Sequence, residues 1–339
     1  MAAAAPHAGG DQVTPPRRHH YVPASYLQGF TPSGTRGDYL WVHDYEEKKS
    51  FRSKPDSIGY SRDLYRFRSN PETDMDMDIE EALSKVDADG ARVIAKLEKE
   101  VGEPGFDGAP AGFALSETEQ LILLHYACIM YLRNPAFRRS LAAFIGNQAT
   151  LEAKLRAWSL SGPEEFEKEL GQAGVALLPE VDAGRLIEWM KSPDFRVEID
   201  DPDWLLVYSF LPEVEILQLL AERNWDVWVV AEEAGHFITS DRPLVLTWQK
   251  SHPAGVRPGF AHRDTHVFFP LTKHLLLYGS DRAENALIEA GQTRVGVANN
   301  VMVSTNDRFI YSPEESFPER RAGALVDSPG ADFLREPIW

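Results

Sequence analysis

DVWVVA (226–231), HFITS (236–240), LVLTW (244–248), HVFFPL (266–271) and HLLLYG (274–279) follow one another in close succession. Each run is short, rich in β-branched and aromatic residues and bounded by turn formers, which predicts strands near enough to pair antiparallel. RFIYS (308–312) supplies one more strand, and the apolar residues from Ala286 to Met302 suggest a helix over 282–305.

Upstream of this region the period changes from two to about 3.6. LILLHYACIMYL (121–132) is apolar nearly all round and opens after Ser116 and Glu119, the spacing of a capping box, so a central helix is expected there. Asn134 and Pro135 end it and start another, with Phe137, Leu141, Phe144, Leu151, Leu155 and Trp158 on one stripe. Further helical patterns cover roughly 179–191 and 203–222, the latter kinked at Pro212. Ile79, Leu83, Val86, Ile94, Leu97 and Val101 mark an amphipathic helix that begins among acidic residues, and GEPGFDGAPAG (102–112) is a breaker-rich linker. DYLWVHDY (38–45) and a strand near Phe51 form a hairpin. Strands at both ends around central helices give an α+β fold, with a mainly antiparallel sheet made from N-terminal and C-terminal strands. The expected organisation is a tail over 1–17, one α+β domain over 18–311, and a loosely ordered C-terminal tail over 312–339.

Composition narrows the function classes. The 339 residues are 43% hydrophobic and 26% charged, ordinary for a globular chain. The most apolar stretch, Leu121–Leu132, is too short to span a bilayer, and MAAAAPHAGGDQ lacks the pattern of a secretory signal, so a cytoplasmic protein without a membrane partner is expected. The single cysteine, Cys128, reads as a buried thiol. A net charge of −17 argues against a long basic face for non-specific phosphate-backbone contact. It leaves room for a local basic pocket, and the clearest basic excess is Arg17 and Arg18 ahead of His19 and His20, with Arg62, Arg66 and Arg68 further on. No P-loop, dinucleotide fingerprint, Gly-x-Ser-x-Gly elbow or His-Glu-x-x-His is present, and no cofactor is called for.

His20-Tyr21-Val22-Pro23, continued by Tyr26-Leu27 and Phe30, resembles the opening of the bacterial family known as domain of unknown function 4238. Arg133-Asn134-Pro135 with Arg138, then Thr239-Ser240-Asp241-Arg242-Pro243, then Phe269-Pro270-Leu271 carry the resemblance in the same order over roughly residues 18–311. Arg242 stands where the family pattern has a small polar residue such as Asn. The resemblance implies a single family domain and assigns no reaction.

Three residues are the candidate catalytic set. His20 can shuttle a proton near neutral pH. Arg133, at the end of an apolar helix, must meet a carboxylate or an anionic ligand. Asp241, on a loop leaving a strand, can orient or assist. Tyr21, Tyr26, Arg138, Asn300 and Tyr311 are the candidate binding residues. A weaker alternative is a metal held by His262, Asp264 and His266, alternate residues of one extended segment. Convergence of the first three suits a metal-independent, nuclease-like hydrolase of a phosphate-containing substrate. The rival is a non-catalytic binding or sensor protein for a small anionic ligand or a protein partner, and a nucleic acid is a further partner of the right charge.

Overall fold

The computed structural model describes residues 18–67, 75–101, 115–253, 255–321 and 324–329. The tail over 1–17, Arg68, the linker over 102–112 and the last ten residues lie outside these. In chain order the elements begin with β1 (Arg18–His20), α1 (Ala24–Leu27), β2 (Leu40–Asp44), β3 (Lys49–Ser53), β4 (Tyr60–Arg62), α2 (Met75–Val101) and α3 (Glu117–Leu132). Then come α4 (Pro135–Ser159), α5 (Pro163–Gln172), α6 (Ala183–Lys191), α7 (Pro202–Phe210) and α8 (Glu213–Ala221). The C-terminal part holds β5 (Asn224–Val230), β6 (Thr239–Ser240), β7 (Val245–Trp248), β8 (Thr265–Pro270), β9 (Leu275–Ser280), β10 (Leu287–Ala290), α9 (Gln292–Thr305), β11 (Phe309–Ser312), β12 (Ser316–Arg321) and β13 (Ala324–Pro329).

The fold is α+β. One sheet, ordered β3-β2-β11-β6, is antiparallel throughout and joins N-terminal to C-terminal strands. A second, ordered β10-β5-β9-β8-β7, is antiparallel except for the parallel β10–β5 pair. β1 and β4 form a separate two-stranded ribbon.

The chain divides into two compact units, residues 1–134 with 210–339, and residues 135–209. In the larger unit α3 is the central helix. Ser116 and Glu119 form a complete capping box, and Leu123, Leu124, Tyr126, Ala127, Cys128, Ile129, Met130 and Leu132 are buried. α2 packs on α3 through Gly90, where an added Cβ would lie 2.5 Å from the Tyr126 ring. On the other side, Trp228, Phe237, Phe268, Leu276, Val295, Met302, Ile310 and Phe317 make a core under α9. The smaller unit centres on Ala157, Phe166, Ala183, Ile187, Met190 and Phe195.

Four local expectations differ from the structure. On α4, the stripe of Phe144, Leu151, Leu155 and Trp158 is exposed, and the small residues Gly146, Thr150 and Ala157 are the buried ones. Helix α9 begins only at Gln292, because Leu287–Ala290 is extended and pairs with β5 before Gly291. Ser316–Arg321 and Ala324–Pro329 pair antiparallel as β12 and β13 where a loose tail was expected, with Phe317 buried against the α9 core. The longest apolar stretch is 202–221, with a mean hydropathy of 1.4, and by length and composition it could cross a membrane. It is split at Leu211–Pro212 into α7 and α8, each nine residues long.

Candidate functional site

The His-Tyr-Val-Pro segment is fixed by its backbone. Tyr21 and Val22 donate to the Gly59 carbonyl (2.9 and 3.0 Å), and Pro23 offers its carbonyl to Tyr26 and Leu27 (3.0 Å each). Gly59 sits at φ +68 with the Val22 oxygen 2.8 Å from where a Cβ would stand, so only glycine fits this turn. These bonds hold β1 against β4 with Arg18 opposite Arg62, His19 opposite Ser61 and His20 opposite Tyr60. Side chains alternate along a strand, so His19 faces one side of the ribbon while Arg18, His20, Tyr60 and Arg62 share the other.

His19 faces the interior. It is 4% exposed and stacks on Tyr65 at 5.2 Å, and its Nδ1 accepts the Tyr65 backbone N–H at 2.9 Å. Accepting that bond requires an Nδ1 without a proton. Near it lies an ionic cluster that sequence reasoning missed. Arg133, fully buried at the C-cap of α3, donates to Asp87 Oδ2 at 3.1 Å and lies 2.8 Å from Oδ1. Glu80, two helical turns before Asp87, feels His19, Asp87 and Arg133. Burial, with Asp87 adding to it, pushes the Glu80 carboxyl above its ordinary range, against His19 and Arg133. The signal was present in the pattern. Glu80 and Asp87 occupy the same three- and four-residue ladder as Leu83, Gly90, Ile94 and Leu97, where a purely structural helix would carry apolar residues.

His20 is half-buried, its ring edge-on to Tyr60 at 5.7 Å, and its Nε2 is buried with no hydrogen-bond partner. Burial lowers its pKa, Asp56 opposes, and Arg36 and Arg133 lower it further, so the imidazole is neutral at pH 7. Across the ribbon face Arg18 lies over the Tyr60 ring at 5.0 Å. Among the described residues neither Arg18 nor Arg62 has a carboxylate within ion-pair distance, whereas Arg36 pairs with Asp56 and Arg66 lies 3.9 Å from Asp63.

Asp241 has separate work. Its Oδ1 accepts the Asp307 N–H (2.9 Å) and its Oδ2 the N–H groups of Arg308 (2.7 Å) and Phe309 (3.0 Å), clasping the start of β11 to the end of β6. Its own carbonyl accepts from the Asn134 amide, which ties the clasp to the residue after Arg133. The nearby charge that most affects it is Asp307, and its own charge raises the pKa of Tyr21 and Tyr311. The structure therefore pairs Arg133 with Asp87, leaves His20 on the ribbon without a direct contact to either, and directs the Asp241 carboxylate to the 307–309 backbone.

The candidate binding residues disperse. Tyr21 and Tyr311 lie near each other and Asp241, and Tyr311 is fully buried with its hydroxyl lacking a hydrogen-bond partner. Tyr26 is a core residue, stacked on Phe269 at 5.8 Å and donating to the Pro270 carbonyl at 2.6 Å. Arg138 is buried in the smaller unit. Asn300 is half-exposed, and its neighbour Asn299 is the buried amide, bonded to Ile238, His236 and Pro318. The three residues of the metal alternative do not meet: His262 accepts from Gly259, Asp264 pairs with His252, and His266 bonds Tyr278. No group of three or more metal-ligating side chains occurs among the described residues. Cys128 donates to the Glu213 carbonyl at 3.7 Å, and burial pushes its thiol up to about 12, which removes the thiolate a reactive cysteine needs.

A family model described as protein of unknown function (DUF4238) matches residues 18–316, from the first strand of the ribbon to the start of β12. The chain belongs to that family. No curated protein and no solved structure matches it.

Proposed function

We propose that the His20 face of the β1–β4 ribbon binds a phosphate-containing substrate and hydrolyses it without a metal. The observation that carries this reading is the register that sets Arg18 directly opposite Arg62, with His20 and Tyr60 beside them. Like charges facing each other across two strands repel. In a chain with 52 acidic residues against 35 basic ones, a carboxylate between them would be easy to supply, and none is there among the described residues. A phosphate group is the complement of two guanidinium groups so placed.

The chemistry follows from the neutral imidazole. Substrate oxygens lie against Arg18 and Arg62. A water entering with the substrate gives a proton to the His20 imidazole as its oxygen bonds to phosphorus, and the departing oxygen takes its proton from solvent. Arg133 has no part in this step, because Asp87 already compensates its charge. Burial is the main cause of the low His20 pKa.

Bis(4-nitrophenyl) phosphate is a direct probe. His20→Gln should reduce its turnover by about 10²–10⁴-fold without changing the melting temperature. The acid limb of the wild-type rate profile should lie below pH 6.5, because the lowered pKa keeps the base unprotonated there. Turnover unaffected by His20→Gln sinks the reading. A second reading, a binding protein for the same phosphate group, is favoured by the Asp87–Arg133 lock, which leaves no interior cation for a transition state. A melting shift with phosphate esters that are never consumed selects it.

A further inference from the structure

We infer that the substrate is a single-stranded nucleic acid, held along a track of cations and exposed rings that leads to His20; this rests on the reading of the His20 face as a phosphate site. Residues 18–67 hold eight Lys and Arg against six Asp and Glu, a local reversal in a chain of net −17. The cations there are arranged on aromatic rings. Arg52 and Lys54 both lie over Tyr39, at 5.5 and 5.3 Å, and Arg18 lies over Tyr60 at 5.0 Å. Trp41, half-exposed, stands opposite Arg52 in the β2–β3 register. Among the described residues, Arg18, Arg52, Lys54 and Arg62 have no carboxylate within ion-pair distance. Their neighbours Arg36, Lys49 and Arg66 each have one.

The track is continuous along the chain. β3 ends at Ser53, Lys54 and the 55–57 turn follow, and β4 opens at Tyr60. Asp56 in that turn and its partner Arg36 are both close enough to shift His20. A flexible polyanion with unpaired bases fits this surface better than a duplex. Tyr39 is 44% exposed, and its ring offers a base a face to stack on, while exposed cation–π pairs are weak enough for Arg52 and Lys54 to swing onto phosphates. A duplex hides its base faces, and the ribbon presents no helix or long strand pair to a groove.

Fluorescence anisotropy with a labelled oligothymidylate of about fifteen nucleotides tests this. Four phosphate contacts give a slope of log K against log salt near −2.8, which is a loss of about 50-fold between about 50 and 200 mM salt. Arg52→Gln with Lys54→Gln should halve the slope, leaving about a sevenfold loss over the same range. Tyr39→Ala should weaken binding by roughly 5- to 150-fold, and a duplex of equal length should bind more weakly than the single strand. None of these substitutions should alter hydrolysis of bis(4-nitrophenyl) phosphate. Binding that ignores salt, equal binding of the duplex, or indifference to the Tyr39, Arg52 and Lys54 changes overturns the inference. His20-dependent hydrolysis of the small ester with no oligonucleotide binding overturns the track alone and leaves the phosphate site standing.

Discussion

Asp87→Ala should destabilise the protein by about 3–5 kcal/mol, the cost of leaving a buried charge without its partner. Arg133 is fully buried, its two terminal nitrogens reach Asp87, and its Nε has no partner. Glu80, whose carboxyl is already pushed toward its neutral form, is a poor replacement. At the usual sensitivity for a unit of this size the melting temperature should fall by roughly 6–20 °C. Truncating the charge on both sides separates the pair from the space it fills. Asp87→Leu combined with Arg133→Met should recover most of the loss, since well-packed apolar replacements of buried ion pairs are often neutral or better. A single Asp87→Ala variant that melts within about a degree of wild type would mean that water reaches Arg133, contrary to its burial.

Asp241→Ala should cost a similar amount, about 3–5 kcal/mol, for a different reason. It removes no ion pair. It leaves the backbone N–H groups of Asp307, Arg308 and Phe309 without an acceptor at the edge of a buried strand, and each such group costs about 1–3 kcal/mol unless the loop shifts to water. The pH dependence has a definite sign. Burial pushes the Asp241 carboxyl up to about 6, against the three N–H bonds that pull it down. The unfolded value is near 4, so the native state holds this proton more tightly. The stability this group contributes is full below about pH 4 and is lost as pH rises through about 6. Melting curves of wild type and Asp241→Asn should therefore diverge across that window, with wild type losing ground as pH rises. A difference that stays flat, or moves the other way, means that the N–H bonds outweigh burial.

The architecture was legible where the signal is local. The Ser116–Glu119 capping box, the apolar α3 and the short strands from Asp226 to Gly279 all follow from neighbours within one element. Failures came where an element's identity depends on its partner. Leu287 and Ile288 suit a helix face as well as a strand, and pairing with β5 decides between them. Phe144 and Trp158 have helical spacing but are exposed. The site divides in the same way. His20 and Arg133 stand out as polar residues beside apolar runs, but the partner of Arg133 is Asp87, 46 residues before it, on a helix read from its apolar ladder alone. Asp241 was expected to orient or assist in a reaction. It binds backbone 66–68 residues away, and no spacing rule reaches that far.

The pairing of β2 with β11, which sets Asp44 beside Phe309 and His43 beside Ile310, has a consequence for biosynthesis. At roughly 5–20 residues per second the ribosome delivers β11 on the order of 15–50 s after β2. Throughout that interval the β2–β3 hairpin carries a strand edge with nothing to cover it, and Asp44 waits for Arg308, which it binds through both oxygens in the finished sheet. The nascent chain is thus most prone to self-association while its final strands are still being made, and yield in a cell should respond to translation speed and chaperone supply more than to the stability of the folded protein.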